Sequence, residues 1–357
     1  MSATVVEVEK VEKMKNKPED DQLGFGKYFT DHMFVMDYCD ETGWGNPRIS
    51  PYEPITLDPA AVIFHYGQTV FEGLKAYRTN DERILLFRPD MNMKRMNKSC
   101  ERLSMPPIDE AEVLDYLKQL ISLEKDWVPS SEGTSLYIRP FIIATEPFLG
   151  LAPSKQYKLV IILSPVGSYY PQGIQPVDIK VEEQYTRAVR GGTGMAKTAG
   201  NYCATFNAQS TASKQGFSQV LWLDAIEKKY IEEVGTSNVF FKVNGEVITP
   251  ELTGSILPGI TRMSVIEMLR SWGIPVSERK ISIDEVYEYH QVGALEEVFC
   301  TGTAAVISPV GAFEWRGTPI NINDKQIGDV SRRLYDTLTG IQTGKIADPF
   351  HWTTEVK

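Results

Sequence analysis

Short apolar stretches of strand type alternate irregularly with amphipathic stretches of helix type along the first half of the chain. The segments 33–38, 84–87, 136–144 and 158–166 are rich in β-branched and apolar residues, which predicts strands. In the segment 90–104, Met96, Cys100 and Leu103 recur at three- to four-residue spacing, which predicts a helix. A second helix is predicted over 109–127, with Asp109 as its N-cap and Glu112 three residues later. This irregular order favours an α+β or mixed α/β fold.

The second half repeats this mixture after a proline-containing stretch at 165–176 that interrupts the pattern. Strands are predicted at 177–181, 217–223, 230–234 and 239–243, and Asn244-Gly245 between two strand patterns predicts a hairpin. A helix of small residues is predicted over 198–215, ended by Gly216, and further helices near 261–272 and 324–339. We therefore predict a flexible N-terminal arm at 1–23, a small α/β domain at 24–170, an interdomain linker at 171–184 and a large domain at 185–357.

Composition narrows the class of protein. The chain has 357 residues, long enough for two domains, and a net charge of −10, which argues against nucleic acid or an anionic membrane as a partner. Cys39, Cys100, Cys203 and Cys300 form no C-x-x-C pair, so we expect no zinc site or disulfide framework, and a reducing cytoplasm fits. The charged N-terminal segment is unlike a signal peptide, and the longest aliphatic run, 159–163, cannot span a bilayer.

Two motifs carry candidate chemistry. Lys197 lies in the small-residue sequence R-G-G-T-G-M-A-K-T at 190–198, and Glu233 follows 36 residues later in E-E-V-G-T-S-N at 232–238. A lysine amine that a planar ligand can approach closely can form a Schiff base with an aldehyde, and a buried carboxylate can keep a pyridine nitrogen protonated. Each residue alone is more commonly a solvated charge. Together, in this order, they predict a pyridoxal phosphate enzyme.

A nucleotide-binding interpretation of the same lysine stays open at this point. The segment 191–198 nearly matches the phosphate loop G-x-x-x-x-G-K-[ST], and Val220 to Asp224 resembles a strand that ends in a metal-binding aspartate. However, Ala196 stands where that loop requires glycine, and the segment 184–190 is too polar for the buried strand that should precede it.

Two further segments are candidates for holding a phosphate. The segment L-P-G-I-T-R at 257–262 opens a predicted helix, where free N–H groups and the helix dipole favour an anion. The turn T-G-T-A-A at 301–305 follows an apolar strand. Arg95 offers a charge-assisted contact to phosphate, and Tyr202, near the start of the helix after the lysine, is a candidate for the cofactor's 3-oxygen.

Taken together, these motifs resemble the branched-chain aminotransferases of the fold-type IV pyridoxal phosphate enzymes. The resemblance runs from about Gly24 to the C-terminus. The small-domain segments that carry it are Y-G-Q-T-V-F-E-G-L-K at 66–75, F-R-P-D-M-N-M-K-R-M at 87–96 and Y-I-R-P at 137–140. It implies two domains with the cofactor between them, and a large domain that binds the cofactor. Lys197 would carry pyridoxal 5'-phosphate and move the proton. The other implied cofactor residues are Arg95, Arg187, Tyr202, Glu233, Asn238, Gly259, Ile260, Thr261 and Thr303.

The resemblance also implies the substrates. Leucine, isoleucine or valine would donate the amino group, and 2-oxoglutarate would accept it, in a reversible ping-pong reaction. Arg139 would receive the glutamate side-chain carboxylate, and Leu151 would enter the partner's site in a homodimer. The other implied substrate-binding residues are Tyr66, Phe71, Tyr137, Tyr169, Thr236, Thr303 and Ala304. A D-amino acid aminotransferase or lyase of the same fold, and a non-catalytic binding protein, remain alternatives.

One departure from the family pattern concerns cysteine. Some members carry a redox C-x-x-C after Gly-Thr-Ala, whereas this chain has Ala305 and Ser308 there. We therefore expect no thiol switch at this position, and we expect Cys203 and Cys300, which lie near the inferred site in sequence, to be buried.

Overall fold

The computed structural model describes residues 6–170 and 173–357. The chain divides into two compact units. The first unit contains residues 1–171, 196–199 and 340–357, and the second contains residues 172–195 and 200–339. The lysine segment 196–199 and the C-terminal segment therefore belong with the N-terminal half of the chain, so the observed division differs from the predicted one at both places.

The bounds of the strands and α-helices are as follows. The strands are β1 (Glu7–Val8), β2 (His32–Cys39), β3 (Gly43–Pro51), β4 (Thr69–Phe71), β5 (Leu74–Arg78), β6 (Ile84–Phe87), β7 (Ser135–Ala144), β8 (Gln156–Val166), β9 (Val177–Glu182), β10 (Gln219–Leu223), β11 (Ile231–Val234), β12 (Asn238–Val243), β13 (Glu246–Thr249), β14 (Val276–Glu278), β15 (Leu295–Gly302), β16 (Val306–Trp315), β17 (Thr318–Asn321) and β18 (Thr353–Val356). The helices are α1 (Val62–Tyr66), α2 (Pro89–Arg102), α3 (Glu110–Leu123), α4 (Ala199–Cys203), α5 (Phe206–Lys214), α6 (Ile260–Ser271), α7 (Ile283–Gln291) and α8 (Asp329–Gln342).

The first unit is built on a nine-stranded sheet of order β1-β3-β2-β8-β7-β5-β6-β18, with β4 paired to β7. Side chains alternate between the two faces of β7. Leu136, Ile138 and Ile142 are fully buried in the apolar core, to which α2 and α3 contribute. Tyr137 and Arg139 lie on the opposite face, so one side of this sheet supplies the core and the other carries polar groups.

The second unit is built on a nine-stranded sheet of order β11-β10-β9-β16-β15-β12-β13-β14, with β17 paired to β16. Its core combines this sheet with the apolar side of α7, including Ile283 and Val286. β9 pairs in parallel with β10 and β16. Residues 177–182 of the predicted linker are therefore a strand inside this sheet, and residues 171–172 lie outside the described residues.

Local sequence signals match the observed elements at several places. The Asp109 side chain accepts a hydrogen bond from the Glu112 N–H at 2.9 Å, which confirms the predicted cap of α3. Asn244 and Gly245 have φ values of 49° and 79° in the turn between β12 and β13, which confirms the hairpin.

Two local predictions are wrong. The described part of the N-terminal arm is held rather than free: β1 pairs with β3, and the Val11 and Lys15 N–H groups bond to His32 and Asp31. The helix predicted over 198–215 is broken between α4 and α5. There the Thr205 hydroxyl donates to the Tyr202 carbonyl at 2.7 Å, a local bond that competes with helix propagation.

Candidate active site

Lys197 is fixed in the first unit through its backbone. Its N–H donates to Ser99 Oγ of α2 at 2.9 Å, and its carbonyl accepts from the Phe71 N–H of β4 at 3.0 Å. The next residue, Thr198, donates its hydroxyl to the Thr69 carbonyl at 2.7 Å. The lysine backbone is therefore held between a helix and a strand edge, which leaves the side chain as the adjustable part.

Aromatic and cationic groups surround the Lys197 side chain within the first unit. Its Nζ lies 4.8 Å from the centre of the Phe71 ring. The Arg139 guanidinium lies 4.8 Å from the same ring, and its Nη2 donates to the Tyr137 hydroxyl at 3.0 Å. The Arg139 Nε is buried and has no hydrogen-bond partner among the described residues. The structure thus brings together four residues that the sequence singled out, with one buried donor left over.

Arg95 is also buried in this unit, and it is held by a carboxylate that sequence reasoning missed. Its Nε and Nη2 each donate at 2.8 Å to Glu72, whose side chain is fully buried and also accepts from Asn92. Burial opposes ionisation of Glu72, but the charge and hydrogen bonds of Arg95 outweigh it and lower its pKa. The available signal was a glutamate inside the apolar strand segment 69–76. Glu72 is therefore an ionised carboxylate that orients Arg95.

A second overlooked residue is Lys75 on β5, whose cross-strand partner on β7 is Tyr137. Burial lowers the pKa of Lys75 to about 8. Because directly opposed residues share one face of a sheet, Lys75 lies on the same face as Tyr137 and Arg139. The first unit therefore holds a buried amine, Lys75, in addition to the half-buried Lys197.

Glu233 is the corresponding carboxylate in the second unit. It lies on β11 and is 1% exposed. One oxygen accepts from the Leu257 N–H at 2.7 Å, and the other lies 3.1 Å from Arg187 Nε. Arg187 donates in turn to the Ser255 carbonyl at 2.8 Å. The prediction that Glu233 is a buried carboxylate is confirmed, and Arg187 supports it directly.

The predicted phosphate-binding segment at 257–262 opens α6 in the second unit. Gly259 is the N-cap, and no side chain among the described residues caps this helix end. A Cβ on Gly259 would lie 2.1 Å from Asn238 Oδ1, and the Asn238 amide donates to the Leu257 carbonyl at 2.9 Å. Glycine is therefore required at position 259, because a side chain would clash with Asn238. The N–H groups of Ile260 and Thr261 lie at the start of this uncapped helix, where the helix dipole favours an anion.

The second phosphate candidate, Thr303 and Ala304, occupies a half-buried turn between β15 and β16. The turn is followed by Val306, which has a φ of 61°. A β-branched residue in this region is strained, and such strain clusters at functional sites. This backbone feature had no sequence signal, because Val306 itself is an ordinary strand residue.

The remaining predicted residues are placed as follows. Tyr66 donates its hydroxyl to the Leu149 carbonyl at 2.6 Å, and Leu151 is 87% exposed in the neighbouring loop. Tyr169 is exposed and packs edge-on against Tyr170. In the second unit, Tyr202 is half-buried on α4 and Thr236 is exposed. Their predicted roles rest on the resemblance.

The phosphate-loop interpretation is not supported. Residues 183–196, all of which the structure describes, form no strand that leads into the lysine segment, since β9 ends at Glu182. The Asp224 carboxylate accepts four backbone N–H groups of its own turn, from Ile226, Glu227, Lys229 and Tyr230, at 2.7–3.1 Å. It therefore ties down a turn and does not serve as a metal ligand. Among the described residues, no group of three or more His, Cys, Asp or Glu side chains could hold a metal ion.

The cysteines are free thiols. Cys300 is buried, as expected, and burial raises its pKa. Cys203 is exposed, so the expectation that it is buried is wrong. Over the two described stretches, no helix combines the length and apolar character needed to cross a membrane.

Comparison with known proteins identifies the family. The family model for amino-transferase class IV matches residues 69–313. Branched-chain-amino-acid aminotransferase 2 of Bacillus subtilis strain 168 is 62% identical over 356 residues, covering 100% of this chain and 98% of the relative. The branched-chain amino acid aminotransferase of Escherichia coli has a TM-score of 0.77 at 26% identity, covering 92% of this chain and 99% of that one.

A further solved structure was determined with a ligand. It is a T.th. branched-chain amino acid aminotransferase complexed with N-(5'-phosphopyridoxyl)-L-glutamate, with a TM-score of 0.73 at 26% identity, covering 90% of this chain and 98% of that one. The match to the family model spans more than half of this chain, and the Bacillus subtilis relative matches it from end to end. The chain therefore belongs to the class IV aminotransferases and, within them, to the branched-chain-amino-acid aminotransferases of fold type IV.

Proposed function

We propose that this chain transfers the amino group of leucine, isoleucine or valine to 2-oxoglutarate, with pyridoxal phosphate as cofactor, and that its residues divide this work as follows. The Bacillus subtilis relative is named for branched-chain amino acids, and the T.th. protein was solved with a phosphopyridoxyl glutamate. The observation that carries the proposal is Glu233, a buried carboxylate fixed by Arg187 and by a backbone N–H. Such a group suits a protonated pyridine nitrogen.

The donors and acceptors of the chain fit this cofactor. Lys197 offers an amine on a fixed backbone, and Glu233 a buried acceptor for the ring nitrogen. The open N-terminus of α6, with Gly259, Ile260 and Thr261, suits the phosphate. We also assign Arg95 and Thr303 to the phosphate, Tyr202 to the 3-oxygen and Asn238 to the support of the helix start, as the family resemblance implies.

The proton transfer falls to Lys197. When bound, pyridoxal phosphate supplies an aldehyde that combines with an amine and a ring that accepts electrons as the α-proton leaves. The Lys197 Nζ would take the proton from the substrate α-carbon and later deliver one, as a general base and then a general acid. Because Ser99 and Phe71 hold the lysine backbone, the Lys197 side chain would change its rotamer while its Cα stays in place.

One face of the first unit's sheet would recognise both the aliphatic side chain of the amino donor and the acidic side chain of 2-oxoglutarate. Phe71 and Tyr137 offer aromatic surface to an aliphatic side chain. Arg139 stacks on both rings, at 4.8 Å and 5.3 Å, and has a spare buried donor for the side-chain carboxylate of 2-oxoglutarate. Tyr66, Tyr169, Thr236 and Ala304 complete the proposed substrate-binding set.

We further propose a cytoplasmic homodimer. Phe64, Phe148, Leu149 and Leu151 are exposed apolar side chains of the first unit, and clusters of this kind mark contact surfaces. Leu151 would reach the partner's substrate site, as the family resemblance implies. The free thiols fit a reducing compartment.

A spectrum tests the activity. The purified protein should be yellow, should bleach when leucine is added and should regain its colour with 2-oxoglutarate. Bleaching by D-leucine instead of L-leucine would point to the D-amino acid enzymes of this fold. A colourless protein that binds no pyridoxal phosphate would overturn the proposal.

A further inference from the structure

Five residues of the first unit form a closed ring of bonds that joins Lys197 to Arg95. The Lys197 N–H donates to Ser99 Oγ at 2.9 Å, and the Ser99 hydroxyl donates to the Arg95 carbonyl at 3.0 Å. The Arg95 side chain donates twice to Glu72, at 2.8 Å each. Phe71, the residue before Glu72, closes the ring, because its N–H donates to the Lys197 carbonyl at 3.0 Å. Every link of this ring lies within one compact unit.

Ser99 is the link that a single hydroxyl provides. It lies on α2 four residues after Arg95, so the two residues are neighbours on one side of the helix. The residue is 1% exposed, and its oxygen donates one hydrogen bond and accepts another at the same time. Rotation about its Cα–Cβ bond to another rotamer would break both bonds. The hydroxyl therefore holds one orientation, and its removal would take away the acceptor of the Lys197 N–H.

The ring fixes the backbone of Lys197 relative to the guanidinium of Arg95. On one side of the ring, the Arg95–Glu72 pair is buried and charged, and hydrogen bonds of this kind are short and strong. On the other side, the hydrogen bonds within α2 connect Arg95 to Ser99. A displacement of Lys197 must break its bond to Ser99 or its bond to Phe71. The spacing between the lysine backbone and the guanidinium is therefore set within the first unit.

We propose that Ser99 is a positioning residue that sets the spacing between the Lys197 amine and the Arg95 guanidinium for a ligand that carries an aldehyde and a phosphate. This inference rests on the proposed function, in which Lys197 takes the aldehyde of pyridoxal phosphate and Arg95 contacts its phosphate. A ligand whose phosphate is already bound presents its aldehyde to the amine, which speeds their combination when the two sites are correctly spaced. Ser99 would thus act on the capture of the cofactor, before any amino acid binds.

Two aldehydes test this coupling on the full chain freed of cofactor: pyridoxal phosphate, and pyridoxal, which lacks the phosphate. Borohydride added at timed intervals fixes the label, and peptide mapping gives the rate at which Lys197 captures each aldehyde. The ratio of the two rates is the advantage that the phosphate confers. Ser99→Ala should lower this ratio roughly three- to tenfold, the usual effect of losing one hydrogen bond. A general loss of structure would slow both aldehydes equally and leave the ratio unchanged.

Hydrogen exchange of the Lys197 amide is a second readout, and it requires no cofactor. Ser99→Ala should speed this exchange roughly tenfold, because the N–H loses its acceptor. Ser271→Ala on α6 is the matched control, because the Ser271 hydroxyl also donates to a carbonyl of its own helix, that of Met268 at 2.7 Å. The control should change neither the ratio of the two capture rates nor the exchange of the Lys197 amide.

The proposal is overturned if Ser99→Ala keeps the wild-type ratio of capture rates, or if its Lys197 amide exchanges as slowly as that of the wild type. Failure of the wild type to take a pyridoxyl label on Lys197 would instead count against the proposed function. The amide exchange would then still decide whether Ser99 holds the lysine backbone.

Discussion

Two buried carboxylate–arginine pairs, one in each unit, use the same groups in opposite ways. In the first unit, Glu72 accepts two bonds from Arg95, so the acid is consumed in orienting the arginine. In the second unit, Arg187 makes one contact to Glu233, and its other N–H groups donate to backbone carbonyls. The arginine is thereby held in place and orients the acid. We therefore propose that the first pair would present a cation to a ligand and the second an anion. An ion pair alone does not indicate which partner a ligand would use, so this proposal is based on the remaining contacts of each partner.

The largest effect is expected from removing the supporting acid of the first pair. Glu72→Ala leaves the buried Arg95 charge uncompensated, which should lower the free energy of unfolding by about 3–5 kcal/mol. Urea denaturation followed by circular dichroism measures the loss. Glu82→Ala removes an exposed partner of Arg78 and should change little. An unchanged midpoint for Glu72→Ala would mean that Arg95 is not held as described.

Removing the charge of Glu233, the acid that we assign to the ring nitrogen, should damage turnover and also lower stability, because the buried Arg187 charge loses its carboxylate. Glu233→Gln keeps an acceptor for the Leu257 N–H but loses the charged bond to the ring nitrogen. A charged hydrogen bond contributes roughly 1.5–3 kcal/mol, so kcat should fall by about tenfold to a hundredfold. Steady-state kinetics with leucine and 2-oxoglutarate measures it. Normal turnover in this variant would move the role to another group.

Arg139 sharpens the comparison, because it forms no ion pair among the described residues, and its buried Nε is unsatisfied. An arginine left without a carboxylate is suited to receive one from a substrate. Arg139→Met keeps a side chain to pack on Phe71, and it should slow the half-reaction with glutamate about tenfold or more relative to that with leucine. Stopped-flow absorbance separates the two, with exposed Arg83→Met as control. Equal losses in both would make Arg139 structural.

The smallest expected effect is a pH dependence of the melting temperature, which results from the Glu72–Arg95 pair. The folded-state pKa of Glu72 is lowered from its usual 4.5. Its pairing therefore stabilises the fold fully above that value and is lost as pH falls through the lower folded pKa. The wild-type melting temperature should drop as pH falls below about 4.5, and Glu72→Gln should flatten this decline. Parallel declines in both proteins would contradict the assigned ionisation.

Local chemistry explains what the sequence could predict. The Asp109 cap, the Asn244-Gly245 hairpin and the strand at 136–144 depend on neighbours within a few residues, and all three appear in the structure. The assignment of residues 196–199 and 340–357 to the first unit depends on long-range pairing, such as that of β18 with β6, which no local pattern encodes. The two motifs that we propose for the cofactor were found because their residue types are unusual for their positions.

Sequence analysis missed Glu72 and Lys75, because nothing in the sequence around them is unusual. Glu72 and Lys75 are charged residues in a strand, and only their burial distinguishes them from solvated side chains. Cys203 was expected to be buried because it lies in an apparently continuous helix, but the break after α4 exposes it. Burial is a property of the assembled unit, so these errors share one cause.

The central claim is that Lys197 is the residue that carries pyridoxal phosphate, and borohydride reduction followed by peptide mapping tests it most directly. Lys75 makes the test discriminating, because it is a buried amine of the same unit as Lys197 and its pKa is lowered to about 8. We expect a pyridoxyl label on Lys197 in the wild type, its loss in Lys197→Ala and its retention in Lys75→Met. A label on Lys75, or one that survives Lys197→Ala, would contradict the claim.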